Sequence, residues 1–209
     1  MADSPSPAAR ADEPTWMARL PEAARERVRS GRSRLDPRRV GALVGIAGGL
    51  VFVLSNLAWA PPALGIALRL LAVGLAVATL AALFARPRAL GAPASVGVGA
   101  WWVYLASVAG MLGLIAVARL ALTATGHEAA IPVAIAVAVG LHFLPFARAF
   151  RERHFVDLGV ALTVVGLVGV VAAVAAGAPV GEAAAVVAGL TMLALMLAYG
   201  IRGRALSSR

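Results

Sequence analysis

From residue 40 onward the chain consists of long apolar runs separated by short polar breaks. A helix needs about 20 apolar residues, at ~1.5 Å rise each, to cross a hydrocarbon core of ~30 Å. Six stretches reach or approach that length: 41–60, 64–84, 97–122, 129–147, 156–176 and 183–201. The breaks carry turn chemistry, with Pro61-Pro62, Arg86-Pro87-Arg88 followed by Gly91 and Pro93, Gly126-His127-Glu128, the polar run 148–154, and Gly177-Ala178-Pro179-Val180-Gly181. Breaks this short make sequence neighbours antiparallel and leave no room for a folded domain outside a membrane. The pattern predicts an all-α fold, a polytopic bundle of six transmembrane helices over residues 40–201. A basic arm, 1–39, precedes it and a short tail, 202–209, follows.

Composition agrees with lipid as the main solvent: 61% of the 209 residues are hydrophobic and 14% charged. Cysteine is absent, which excludes disulfides, thiolate nucleophiles and Cys-ligated zinc or iron–sulfur clusters. All 19 basic residues are arginine, a bias that reads first as the drift of a GC-rich genome. A net charge of +9 raises the question of nucleic acid, but a basic groove with interleaved aromatics is missing and the arginines gather at helix ends.

Their placement carries topology. Nine arginines precede the first stretch, two follow the second, three follow the fourth and three close the chain, so seventeen of nineteen fall on one side. The positive-inside rule then predicts both termini in the cytoplasm (N-in/C-in) of a cell (plasma or inner) membrane. Arg69 and Arg119 fall near the opposite ends of their helices, where long side chains snorkel to headgroups. Trp59 sits at the expected outer boundary, with Trp101, Trp102 and Tyr199 at the inner one, as amphipathic rings prefer.

No apolar core follows Met1, so the first hydrophobic stretch is expected to direct insertion itself. Residues 1–14 are too small and polar to fold alone. A short helix is predicted over 21–30, with Pro21 and Glu22 in its first turn and Gly31 at its stop; Trp16, Met17 and Leu20 lie just before it. The arm reads as a solvated tail that fixes orientation, or as an amphipathic segment on anionic cytoplasmic lipid.

Span one carries Gly41, Gly45 and Gly49 at four-residue spacing, a face without side chains that lets another helix approach closely. Similar spacings occur at Gly181, Ala185 and Gly189 and at Ala106 and Gly110. Intramolecular seams are the simplest reading, and a homo-oligomer or a membrane partner protein the sharper one. Leu83-Phe84-Ala85-Arg86 also echoes Pro145-Phe146-Ala147-Arg148, four residues closing spans two and four alike.

Polar groups inside a bilayer are costly and therefore informative. His142 is the only histidine within a span, six residues or ~9 Å before Arg148. Pro145 lacks an amide donor and frees a carbonyl near Leu141, so a bend is expected beside the imidazole. His142 reads first as a neutral ring hydrogen-bonded to a neighbouring helix. A proton relay, ligand site or pH sensor is the alternative. The candidate polar site comprises His142, Pro145, Asn56 and Asp157, where Asp157 reads equally as a partner for nearby arginines or as a helix cap. A second cluster, Arg69, Arg119 and Glu128 with Ser55, Asn56, His127 and Glu182 near the outer face, could clamp an anion but reads more simply as ion pairs and anchors, such as Arg119 with Glu128.

No catalytic, cofactor-binding or metal-binding motif is present: there is no Gly-x-Ser-Gly nucleophile, no His-Glu-x-x-His pair, no second intramembrane histidine for haem, and no carboxylate in the middle of any span. The expectation is a non-enzymatic membrane component acting through helix packing, lipid or partner contacts, with the lipid bilayer rather than nucleic acid as its surroundings. The alternative is a small transporter or substrate-binding membrane subunit, for which His142, Asn56, Thr79 and Thr163 would have to converge on one cavity.

The run Gly140-Leu141-His142-Phe143-Leu144-Pro145-Phe146-Ala147-Arg148, with the six-span layout, resembles a family of small uncharacterised multi-pass bacterial membrane proteins carrying a G-x-H-F-x-P-F-A-R element. The resemblance implies a six-helix membrane fold and draws interest to His142, Phe143 and Pro145, without implying an activity.

Overall fold

The computed structural model describes residues 19–29, 37–85, 99–150 and 152–202. Trp16 and Met17, the 86–98 break and the 203–209 tail lie outside the described residues. Among the described residues every regular element is helical. In chain order these are α1 (Glu22–Arg29), α2 (Pro37–Leu54), α3 (Pro62–Leu80) running into a π turn (Ala81–Ala85), and α4 (Ala100–Ala124). A 3-10 turn (Glu128–Ala130) then leads into α5 (Ile131–Phe150), followed by α6 (Arg153–Ala176) and α7 (Ala178–Arg202).

Five segments, from α3 through α7, are 23 to 25 residues long and apolar enough to cross a membrane. The first apolar helix is a correction to the expected 41–60 stretch: its apolar part is only Gly41–Leu54. The reason is local. Asn56 turns its side-chain amide back to the Phe52 carbonyl at 2.8 Å, and Trp59 Nε1 donates to the Asn56 carbonyl at 3.0 Å. Such side-chain bonds compete with the helix ladder, and Pro61-Pro62 prevents its resumption before α3.

The opposite error occurs at 177–181, expected as a five-residue break. Only Gly177 is non-helical there, at φ 85°, a conformation that side-chain-bearing residues rarely adopt. Pro179 falls in the first turn of α7, where its missing amide costs nothing.

Helix α7 is the hub: α2, α3, α5 and α6 all pack on it, whereas α4 leans chiefly on α5. One buried cluster joins Val133 and Ala136 of α5, Leu158 and Leu162 of α6, and Ala188 and Met192 of α7, with Leu83 of the π turn. A second joins Ile46 and Val53 of α2, Ala72 and Ala76 of α3, and Val186 and Leu193 of α7.

The outward faces stay apolar. Leu70 on α3 is 68% exposed and Leu120 on α4 is 73% exposed, and the apolar window of α4 holds no buried residue at all. An apolar surface this extensive suits hydrocarbon and not water.

Backbone meets backbone at several points, two of them between long helices away from their ends. A methyl added at Gly189 of α7 would lie 2.7 Å from the Gly49 carbonyl of α2, and one at Gly140 of α5 would lie 2.8 Å from the Gly159 carbonyl of α6. Without hydrophobic driving force in lipid, such side-chain-free approaches are what hold helices together.

Candidate functional site

Helices α2 and α4 both lean on the α5–α7 core but are not packed against each other. Between them lies a cleft of about 370 Å³. On the α2 side it is lined by Gly41, Ala42, Gly45 and Gly48, which have little or no side chain to fill the space, together with Val44 and Phe52. Tyr104 and Met111 of α4 face them, and the floor is His142, Phe143 and Phe146 of α5, His154 and Phe155 of α6, and Met192, Met196 and Tyr199 of α7. Most of these residues lie in the helix halves nearer the arginine-rich segments, while Met111 and Met192 sit near mid-helix and Phe52, which also lines the cleft, lies near the far end of α2.

The cleft is walled by stacked rings. Tyr104 stacks on both Trp101 and Phe146 with centroids 5.3 Å apart, and Phe143 lies parallel to Phe155 at 5.9 Å. His142 tilts over Phe146 at 4.4 Å, and His154 stacks on Tyr199 at 4.3 Å. The methionines add flexible, polarisable surface that adapts to a guest.

His142 is held by Ser107 of α4. The Ser107 hydroxyl lies 2.8 Å from the His142 carbonyl and 2.8 Å from its Nδ1. A hydroxyl has one proton, so Ser107 donates to the carbonyl and accepts from Nδ1–H. In the neutral ring this leaves Nε2 as an acceptor. Despite Pro145, α5 runs unbroken to Phe150, and Ser107 supplies the carbonyl next to the freed one with a donor.

The other predicted residues disperse. Asn56 lies at the far end of α2, in the turn before α3, and bonds its own helix. Asp157 is exposed on α6, one turn past His154, with no hydrogen bond to His142. Pro145 is exposed and borders a separate shallow depression with Arg148 and Val156. Thr79 and Thr163 donate to the carbonyls one turn back in their own helices, Leu75 and Gly159. Of the four residues whose convergence a carrier required, only His142 reaches the cleft.

Arg69, Arg119 and Glu128 are all exposed, and among the described residues no ion pair joins them. The acid that does engage at that end is Glu182, whose carboxylate accepts from the Trp59 amide at 3.2 Å and ties the α2–α3 turn to α7. Within the glycine face, a methyl on Gly49 would meet Leu193 and Gly189, one on Gly45 the Met196 side chain, and one on Gly41 nothing among the described residues within 4 Å. Gly110 is likewise open, so the Ala106–Gly110 spacing forms no close approach there.

Sequence reasoning missed Ser107, His154, Tyr104 and Tyr199 as site residues. A signal existed for α4, where Trp101, Tyr104, Ser107 and Met111 recur at three- to four-residue intervals and so share a face. It also missed Arg39, read only as a topology arginine. Its side chain is 1% exposed, and NH1 donates to the Leu83 carbonyl in the π turn that ends α3. A cation at a helix C-terminus meets the unsatisfied carbonyls and the negative end of the dipole.

Among the described residues no three His, Asp or Glu side chains gather closely enough to hold a metal ion. The chain matches no protein-family model, no curated protein and no solved structure at a significant level.

Proposed function

We propose that this chain is a six-span membrane protein with both termini in the cytoplasm, acting without chemistry of its own through helix packing and by holding a lipophilic molecule in the α2–α4 cleft. The observation that carries this reading is the cleft itself: apolar and aromatic, with three glycines among the six α2 residues that line it, and placed between two helices that do not pack on each other.

The apolar surfaces of α3 and α4 and the seventeen arginines on one side support the membrane placement. Helix α2 completes the sixth span: its 18 residues rise ~27 Å, close to the thickness of a hydrocarbon core. In that arrangement the cleft lies in the cytoplasmic half of the bilayer, facing lipid between α2 and α4. The dispersal of Asn56, Thr79 and Thr163 away from it disfavours a carrier with a continuous polar path.

The test is occupancy. Protein purified gently in detergent is extracted and the extract weighed by mass spectrometry, for the native chain and for Gly45→Leu. A leucine there displaces only the mobile end of Met196 and projects into the cleft. The expected result is a lipophile retained near one per chain and depleted at least fivefold by Gly45→Leu. Equal retention in both proteins would overturn the reading.

A further inference from the structure

We infer that the guest of this cleft is an anionic phospholipid of the cytoplasmic leaflet, with one acyl chain lying lengthwise between α2 and α4 and its headgroup among the arginines at the cleft mouth. The inference rests on the lipophile site and the threading proposed above, and names the chemistry of the guest.

The first observation is the shape of the cleft. Each helix gives it a stripe along its own axis: Gly41, Gly45, Gly48 and Phe52 on α2, and Met192, Met196 and Tyr199 on α7. Spacings of three and four residues keep such positions on one face, so the cleft runs parallel to the helices. At helical rise its length is ~10 Å along α7 and ~16 Å along α2. A volume of about 370 Å³ spread over that length leaves a bore roughly 5 to 7 Å across. With carbon contacts at ~3.5–4.0 Å, such a bore holds one hydrocarbon chain and not two abreast.

The second observation is what the walls present. The rings stack on one another, Phe143 on Phe155 and Tyr104 on Phe146, and Ser107 occupies Nδ1 of His142. Between them the glycines and the flexible thioethers of Met111, Met192 and Met196 form an apolar surface that adapts to a chain of many conformations.

The third observation is charge. Glu152 and His154 line the cleft at the α5–α6 turn; exposed Arg153 stands between them in sequence, and exposed Arg148 lies four residues before Glu152. The net charge of +9 comes entirely from the side of the chain that holds this turn, with seventeen arginines against eight acids, whereas Arg69 and Arg119 are matched by Glu128 and Glu182 on the other. Basic segments at a membrane surface attract anionic lipid, which a zwitterionic headgroup or a bare hydrocarbon does not match.

The test titrates the delipidated full chain in detergent with defined lipids and reads the bound adducts by native mass spectrometry. The probes are dioleoyl phosphatidylglycerol, zwitterionic dioleoyl phosphatidylcholine, 1-oleoyl lysophosphatidylglycerol with a single chain, and glycerol 3-phosphate with none. Native protein, Gly45→Leu, the paired variant Arg148→Gln with Arg153→Gln, and the open-site control Gly113→Leu are compared. Each is first checked for a monodisperse elution profile, and Gly48→Leu replaces Gly45→Leu should that variant fail the check. A phosphatidylglycerol with a diazirine on one acyl chain is then photolysed on native protein and the labelled residues identified.

The expected result is one phosphatidylglycerol per chain, bound at least tenfold tighter than phosphatidylcholine, with the lysolipid within about threefold and glycerol 3-phosphate unbound. The arginine pair loses the anionic preference, Gly45→Leu loses every lipid, Gly113→Leu loses none, and the label falls within 41–52 or 192–199. Equal affinity for the two headgroups, a preference unchanged in the arginine variant, a lysolipid bound tenfold weaker, or a label confined to α3 overturns the phospholipid inference. The cleft reading survives any of these if Gly45→Leu still depletes the lipophile that co-purifies. Binding and retention untouched by the glycine variants overturn both.

Discussion

A methyl group at the α5–α6 crossing should destabilise this protein far more than the same methyl on an open helix face. Built on Gly140, it lies 2.6 Å from the Thr163 amide nitrogen and 2.8 Å from the Gly159 carbonyl oxygen, where ordinary contact begins at 3.4 Å. The shortfall is roughly 0.6 to 0.8 Å on the ordinary approach; two of the atoms met are backbone, which cannot rotate away, and the third, the Thr163 hydroxyl at 2.6 Å, is hydrogen-bonded to the Gly159 carbonyl. The helices must part by about that much. A radial gap of ~0.5–1 Å forfeits a quarter to a half of each dispersion contact it opens. Because α5 and α6 share the most extensive seam in the bundle, the cost of Gly140→Ala should stand near the top of the ~1–3 kcal/mol range for overpacking.

The control is Gly113→Ala on α4, where nothing lies within 4 Å and a methyl is neutral or stabilising by up to ~1 kcal/mol from helix propensity. Gly159→Ala meets the Gly140 carbonyl at 2.9 Å, so it strains the same crossing, and the double variant should cost clearly less than the sum of the two. The assay is reversible unfolding in mixed micelles with rising dodecyl sulfate, followed by circular dichroism. If Gly140→Ala and Gly113→Ala agree within about 0.5 kcal/mol, the argument that backbone approach holds this seam is wrong.

Two other expectations test the site and the threading. Ser107→Ala removes both bonds to His142 and should cost ~0.6–2 kcal/mol in the same assay; unchanged stability would refute a pinned imidazole. Because the chain has no cysteine, single-cysteine labelling needs no background removal: Ser33→Cys and Ser207→Cys should react with an impermeant maleimide only after permeabilisation, and Ser55→Cys and Thr125→Cys in intact cells. Labelling of Ser33→Cys and Ser55→Cys from one face would deny α2 its span.

The helices were legible because long apolar runs and Gly/Pro breaks act locally, so α3 to α7 fall within a few residues of expectation. The misplaced ends belong to side chains that redirect backbone: Asn56 and Trp59 end α2 early, and Pro179 lets α7 begin at once after Gly177. The site was less legible because it depends on which helix faces which. His142 stood out as a histidine inside an apolar run, but His154 belonged to a segment that read as an arginine-bearing loop. Only the start of α6 at Arg153 brings its ring against Tyr199, 45 residues later in the sequence. The regular Gly41-Gly45-Gly49 spacing drew attention for the same reason that Gly140, Gly159 and Gly166 did not. Periodicity within one helix is visible in sequence, whereas complementarity between two helices is not.

That glycine face also explains why a cleft exists at all. Along α2 the space for a side chain differs between its two ends: at Gly49 a methyl meets Leu193 at 2.8 Å and the Gly189 carbonyl at 3.1 Å, at Gly48 and Gly45 only the Met192 and Met196 side chains, at 3.3 Å and 3.0 Å, and at Gly41 nothing among the described residues within 4 Å. Helix α2 therefore meets α7 backbone to backbone at Gly49 and leaves its glycine face open at Gly41, while Ala42 and Ile46 beside that face stay buried. Beyond Gly41, Arg39 fastens the same end of α2 to the Leu83 carbonyl at the close of α3. Held at one point by backbone contact and at the other by a buried guanidinium, α2 keeps its line along the bundle, and the glycines between the two leave room that its own side chains do not fill.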